Sequence, residues 1–178
     1  MQKICEATNQ YSGEDMVITT DDILAFIGLM IARGVYKGKD EPRRSLWNPN
    51  SGRPIFSATM GVNKFENIMK NLRFDDRTTR STRKVTDKFC HIRELWDSIL
   101  DNCAKSFKPN ASVTIDEQLM GCRARCPFTQ YMSSKPDKFG IKFWFLCCAE
   151  SSYILAGFPY LGKDEERDAN VGLGGHVV

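Results

Sequence analysis

Histidine is scarce in this chain, with only His91 and His176 among 178 residues, and none of the seven cysteines (Cys5, Cys90, Cys103, Cys122, Cys126, Cys147, Cys148) belongs to a CxxC word. The closest cysteine spacings are Cys122-x3-Cys126 and the adjacent Cys147-Cys148. This excludes the paired-ligand words of a structural zinc site. It also leaves Cys122 and Cys126 without the neighbouring histidine base that an activated thiol nucleophile uses. An odd cysteine count with no repeating framework fits reduced thiols better than a disulfide scaffold. Long apolar runs are absent too: the stretch 23–31 is far shorter than the roughly 20 residues that cross a bilayer. The opening MQKICEATNQYSGED has no apolar core of the kind a secretion signal carries. The expectation is a chain that neither enters a membrane nor is secreted.

What is present is a globular composition, 42% apolar and 11% aromatic, enough for one sizeable core or a core and a small helical domain. The net charge is only +3, but it is unevenly spread. Residues 1–34 carry two basic against five acidic groups, and residues 150–178 repeat that balance. Between them, residues 35–63 sum to +3, and residues 64–88 and 121–142 each to +4, offset by −2 over 89–120. Basic stretches with interleaved aromatics are one way that phosphate backbones are held.

Hydrophobic periodicity places helices in the first two thirds. One begins at Thr19 or Thr20, where a hydroxyl caps and Asp21 and Asp22 meet the positive end of the dipole, and it runs to Gly34. Ile23, Leu24, Phe26, Ile27, Leu29, Met30 and Ile31 leave it almost no polar face, which predicts a helix buried all round. The segment 37–54 reads as a loop anchored by Leu46 and Trp47. A second helix is expected over 63–72, with Asn63 and Glu66 at capping-box spacing. The Ser/Thr-rich linker after it, expected to be flexible, carries Arg73, Arg77, Arg80, Arg83 and Lys84. A third helix, 87–107, repeats Phe89, Ile92, Trp96, Ile99 and Cys103 and ends at Lys108-Pro109-Asn110.

Beyond Pro109 the period changes to two. In the strand VTIDEQLMG, Val113, Ile115, Glu117 and Leu119 share one face, and Thr114, Asp116, Gln118 and Met120 the other. A mid-strand aspartate is disfavoured by propensity and by burial cost, and calls for a cation, a metal or hydrogen bonds. The basic connection 121–138 follows, then apolar runs at 141–149 and 153–158 joined by a short turn, giving a strand and a tight hairpin. The tail is first charged, with Asp164, Glu165, Glu166 and Asp168, and then glycine-rich.

The words TIDEQLMGCRARCPF, KPDKFGIKFW and AGFPYLG, preceded by ITTDDILAFIGLMIARG, LWN and MGVNKFENIMKNLRFDD, occur in this order over nearly the whole chain. Together they resemble the catalytic domain of piggyBac-type DDE transposases and of the domesticated proteins derived from them. The resemblance implies an α+β chain, with a helical dimerisation or DNA-binding region over 1–110. Over 111–178 it implies the first three antiparallel strands of an incomplete RNase H-like sheet.

It further implies that Asp116 is the first of three catalytic, metal-binding aspartates. The other two lie in words this sequence does not contain. Transposases of this class use two divalent ions, here Mg²⁺, for in-line attack on a phosphodiester. Such ions share carboxylates, and Asp116 alone is not expected to hold them; Glu117 faces the other side of the strand. The implied partner is DNA, as transposon ends or genomic DNA, with a homodimer possible and the nucleus as the place of action. The cations assigned to the DNA backbone are Arg123, Arg125, Lys135, Lys138 and Lys142, with Arg77, Arg80, Arg83 and Lys84 in the linker. Two readings stay open: part of a transposase that is not catalytic by itself, or a domesticated DNA- or protein-binding module without catalysis.

Overall fold

In a computed structural model, which describes residues 1–12, 17–38 and 40–162, the chain divides into two compact units, Met1–Ser81 and Thr82–Val178. The division places the helix of residues 93–106 with the sheet, on the C-terminal side of the break.

The first unit is helical. Helix α1 (Gln2–Ser12) was not anticipated, because its apolar stripe is thin; it buries only Ile4, Cys5 and Thr8. Helix α2 (Thr20–Val35) starts as the capping pattern requires. The Thr19 hydroxyl accepts the Asp22 N–H (3.2 Å), and the Asp22 carboxylate accepts the Thr19 N–H (3.0 Å). Burial raises the Asp22 pKa, but hydrogen bonds from Lys64 and Thr19 more than offset it and hold the carboxyl below its ordinary value. The expectation of all-round burial is corrected. Ile23, Phe26 and Leu29 are buried, whereas Leu24 and Ile31 are 53% and 63% exposed, because one packed face suffices to dock a helix.

The segment 37–54 is less loop-like than expected. It holds a 3-10 turn (Arg43–Trp47) and leads into a short helix, α3 (Pro54–Thr59), whose first residue is a proline already set at helical φ. Leu46 and Trp47 are anchors: Leu46 is fully buried, and the indole N–H of Trp47 donates to the Met60 carbonyl at 2.6 Å. The Trp47 ring packs 5.1 Å from Phe56 and 4.9 Å from Phe65. Helix α4 (Val62–Asn71) follows, capped by Gly61 without a side-chain bond. The predicted capping box is absent because the helix begins one residue earlier, with Gly61 at the cap and Asn63 already inside the first turn; Asn63 and Glu66 instead meet Arg44, whose guanidinium donates to the Glu66 carboxylate at 2.7 Å and to the Asn63 side-chain oxygen at 3.3 Å.

The linker after α4 is ordered by its own side chains. The Asp76 carboxylate accepts the Thr78 N–H (2.8 Å), Arg80 pairs with Asp75 (2.5 Å), and a short helix, α5 (Arg80–Thr86), spans the division between the units.

In the second unit the third predicted helix is shorter than expected, α6 (Arg93–Ser106). The Asp87 carboxylate accepts the Phe89 N–H (2.8 Å) and pairs with Arg93 (2.8 Å), holding 87–92 in turns rather than helix. Four strands follow: β1 (Val113–Gly121), β2 (Thr129–Tyr131), β3 (Phe139–Cys148) and β4 (Ile154–Pro159). The sheet is antiparallel with β3 central, flanked by β1 along one edge and by β2 and then β4 along the other. The run of β1, β3 and β4 is the expected strand-plus-hairpin, and β2 adds a fourth strand inside the basic connection.

Phe143 and Phe145 on β3 form the core with Phe89 and Phe128, against Ile92 and Trp96. The Trp96 and Phe143 rings are 4.9 Å apart, and the Trp96 indole N–H donates to the Gly157 carbonyl at 3.2 Å, which ties α6 to β4. Gly157 permits that approach: a Cβ there would stand 2.5 Å from the Phe145 ring and 2.8 Å from the Trp144 carbonyl. Cys147 and Cys148 serve packing, one on each face as neighbours in a strand must be.

Candidate nucleic-acid interface

Strand β1 is an edge strand among the described residues, and this decides the surroundings of Asp116. In register Asp116 lies opposite Phe145, so it shares a face with Phe143, Phe145 and Cys147 rather than with a wholly polar surface. On β3 that face is buried under Trp96, whereas on β1 it is open, so Asp116 is exposed. One carboxylate oxygen accepts the Glu117 N–H at 2.8 Å. Burial, and after it the nearby Asp116 charge, push the Cys147 thiol pKa up, which marks the reach of the carboxylate across the strand pair.

Glu117 lies opposite Trp144 on the other face. Its carboxylate is 4.0 Å from the Lys135 ammonium and 3.9 Å from that of Lys142, and Lys135 also donates to the Glu117 carbonyl at 3.3 Å. Lys142 stands over the Trp144 ring, 4.5 Å from its centroid. Two of the five cations assigned to the connection are therefore engaged by one carboxylate. Arg123, Arg125 and Lys138 are exposed and have no carboxylate partner among the described residues. Arg123 and Arg125 follow the end of β1, whose last residue, Gly121, is five positions from Asp116, about 17 Å of extended chain. Tyr131 and Phe139, paired across β2 and β3, are 58% and 59% exposed with ring centroids 4.9 Å apart. Phe128 is instead buried in the core. The acidic residues 164, 165, 166 and 168 fall outside the described residues.

The linker cations are not equivalent. Arg80 is held by Asp75, and Arg83 donates to the Cys90 carbonyl at 2.8 Å. Lys84 is exposed on α5. Arg77 is exposed, with its guanidinium carbon 5.3 Å from the centre of the Tyr11 ring; Arg73 lies 3.5 Å over the same ring. Tyr11 gave no signal in the sequence, because its contact joins α1 to a segment more than 60 residues away.

As for metal, among the described residues no three His, Cys, Asp or Glu side chains come together in a way that would hold an ion. A two-ion centre shares several carboxylates, and among the described residues Asp116 has none grouped with it, since Glu117 lies on the other face of the sheet with the lysines. These residues do not by themselves fit the pair of ions that the family's chemistry uses.

A family model described as "Transposase IS4" matches residues 1–178, and the chain belongs to this IS4/piggyBac-like family of DDE transposases. It is 28% identical over 187 residues to the human PiggyBac transposable element-derived protein 3, matching 100% of this chain and 30% of that protein. It is likewise 28% identical to the human Chimeric ERCC6-PGBD3 protein, of which it matches 17%. Among solved structures, the cryo-EM structure of the piggyBac transposase synaptic complex with hairpin DNA superimposes with a TM-score of 0.87 at 31% identity, covering 94% of this chain and 37% of that one. The mixed α+β architecture is thus that of a piggyBac transposase, and the chain spans about a third or less of the relatives it matches.

Proposed function

We propose that this chain supplies the opening part of a piggyBac-type transposase region, which holds DNA by its backbone and does not cut it alone. The observation that carries the reading is the set of exposed cations without carboxylate partners among the described residues, Arg123, Arg125 and Lys138, following the strand that bears Asp116. A fold shared with a transposase whose structure is a complex with DNA supports it. In this reading Asp116 is the first catalytic carboxylate, Mg²⁺ is the family's ion, and a complete site needs carboxylates from further along a longer chain. Residues 1–110 serve dimerisation and DNA contact, residues 111–178 form part of the catalytic domain, and the place of action is the nucleus.

A second reading, a transposon-derived binding module without catalysis, is favoured by the relative whose name describes it as transposable element-derived. A cleavage and strand-transfer assay on a transposon-end duplex tests the shared core of both. The expected result is no product with Mg²⁺ present. Mg²⁺-dependent cutting by the isolated chain that disappears in Asp116→Ala would contradict it.

A further inference from the structure

Helix α1 and the turn at 76–79 enclose a cleft of about 380 Å³, lined by Ala7, Gln10, Tyr11, Arg77 and Thr78. Two guanidinium groups converge on its one aromatic ring, Arg73 at 3.5 Å and Arg77 at 5.3 Å from the Tyr11 centroid. Like charges gathered around one ring repel, and neither arginine pairs with a carboxylate among the described residues. Arg73 spends its side-chain hydrogen bonds on the neutral carbonyls of Lys70 and Leu72, at 3.3 and 2.7 Å. The nearby Asp76 carboxylate is turned to Thr78.

The arrangement is fixed from below. Thr8 is fully buried; its hydroxyl donates to the Ile4 carbonyl (2.6 Å) and accepts the Arg73 N–H (3.1 Å), so the backbone that carries Arg73 is bonded to α1. Arg73 then covers the Tyr11 ring, and the ring attracts the second guanidinium through its π-face. What remains is a cleft with a largely apolar lining and an exposed Arg77 in its wall, and neither guanidinium meets a carboxylate among the described residues. This matches an oxyanion with several acceptors, which an arginine fork meets bidentately.

We infer that this cleft is a phosphate clamp for the nucleic-acid backbone, in which Arg77 takes the phosphodiester and Tyr11, backed by Arg73, holds Arg77 in place. The inference rests on the DNA-binding reading, which already lists Arg77 among the linker cations, and adds to it a built site on the helical unit in which a tyrosine holds that arginine. The clamp neutralises charge and reads no bases.

The test is binding of a short labelled duplex by fluorescence anisotropy over a salt series, using the full chain. Arg77→Ala is expected to make the slope of log affinity against log salt shallower by about 0.9, the effect of one phosphate contact, and Arg77→Lys to restore it. Tyr11→Leu is expected to weaken binding, while Lys105→Ala, an exposed cation on α6, leaves the slope unchanged. Wild-type slope in Arg77→Ala, wild-type affinity in Tyr11→Leu, or equal flattening by Lys105→Ala overturns the clamp. If wild type binds and only Arg123→Ala/Arg125→Ala weakens it, the clamp alone falls. If wild type binds no duplex, the DNA-binding reading falls with it.

Discussion

Glu117 and Lys142 meet across β1 and β3, carboxylate oxygen to ammonium 3.9 Å, on the face of the sheet opposite Asp116. This pairing, with Lys135 beside it, takes up the one carboxylate adjacent to Asp116 in sequence, while Arg123 and Arg125 have no carboxylate partner among the described residues. The roles of neighbouring acidic and basic residues are set here by strand parity.

Gly157→Ala should destabilise the sheet unit. The new Cβ would stand 2.5 Å from the Phe145 ring and 2.8 Å from the Trp144 carbonyl, and relief would disturb the Trp96 bond to the Gly157 carbonyl. A loss of about 1–3 kcal/mol is expected, as for overpacked sites. Urea unfolding followed by tryptophan fluorescence checks it, and an unchanged midpoint would contradict this packing.

Thr8→Val keeps the shape of a fully buried side chain but removes the acceptor for the Arg73 N–H. Leaving that donor unpaired should cost about 1–3 kcal/mol. Thermal unfolding of the variant is the measurement, and a wild-type midpoint would mean that the backbone bond contributes nothing.

The Asp87–Arg93 pair predicts an acid-side loss of stability. The Arg93 guanidinium, hydrogen-bonded to Asp87, holds that carboxyl below its ordinary value. A carboxyl lowered on folding contributes stability above its unfolded pKa, which is lost as pH falls through the folded value, here below about pH 4. With solvent screening the contribution is expected to be about 1 kcal/mol. Asp87→Asn should therefore be less stable than wild type at neutral pH, with the gap closing towards pH 2–3. A gap constant with pH would assign the effect to the caps at 87–92 instead.

Asp116→Ala should leave stability within about 0.5 kcal/mol of wild type, because the residue is exposed and its bond is to the adjacent N–H. Denaturant unfolding tests this. A large loss would make Asp116 a structural residue of the strand.

Much of this architecture was legible locally. The Thr19–Asp22 cap, the anchoring of Leu46 and Trp47, and the period change after Pro109 each follow from a few residues and appear in the fold. Other features depend on contacts far apart in sequence. Helix α1 buries too few apolar residues to announce itself, β2 has three residues and exists through β3, and the exposed side of α2 is as apolar as its buried side. At the candidate interface the cations could be listed from the sequence but not sorted. Arg80 took Asp75, and Lys135 and Lys142 took Glu117, all decided by register and loop course.

The most direct test of the account is the salt dependence of duplex binding by wild type and by Arg123→Ala/Arg125→Ala. If about four phosphates are neutralised, wild-type log affinity should fall with log salt at a slope near −3.6, about 150-fold between 50 and 200 mM. The double variant should show a slope near −1.8, about 12-fold over the same range, with sequence preference unaltered. Unchanged affinity and slope in the double variant would contradict a backbone-holding role for the arginines beyond β1.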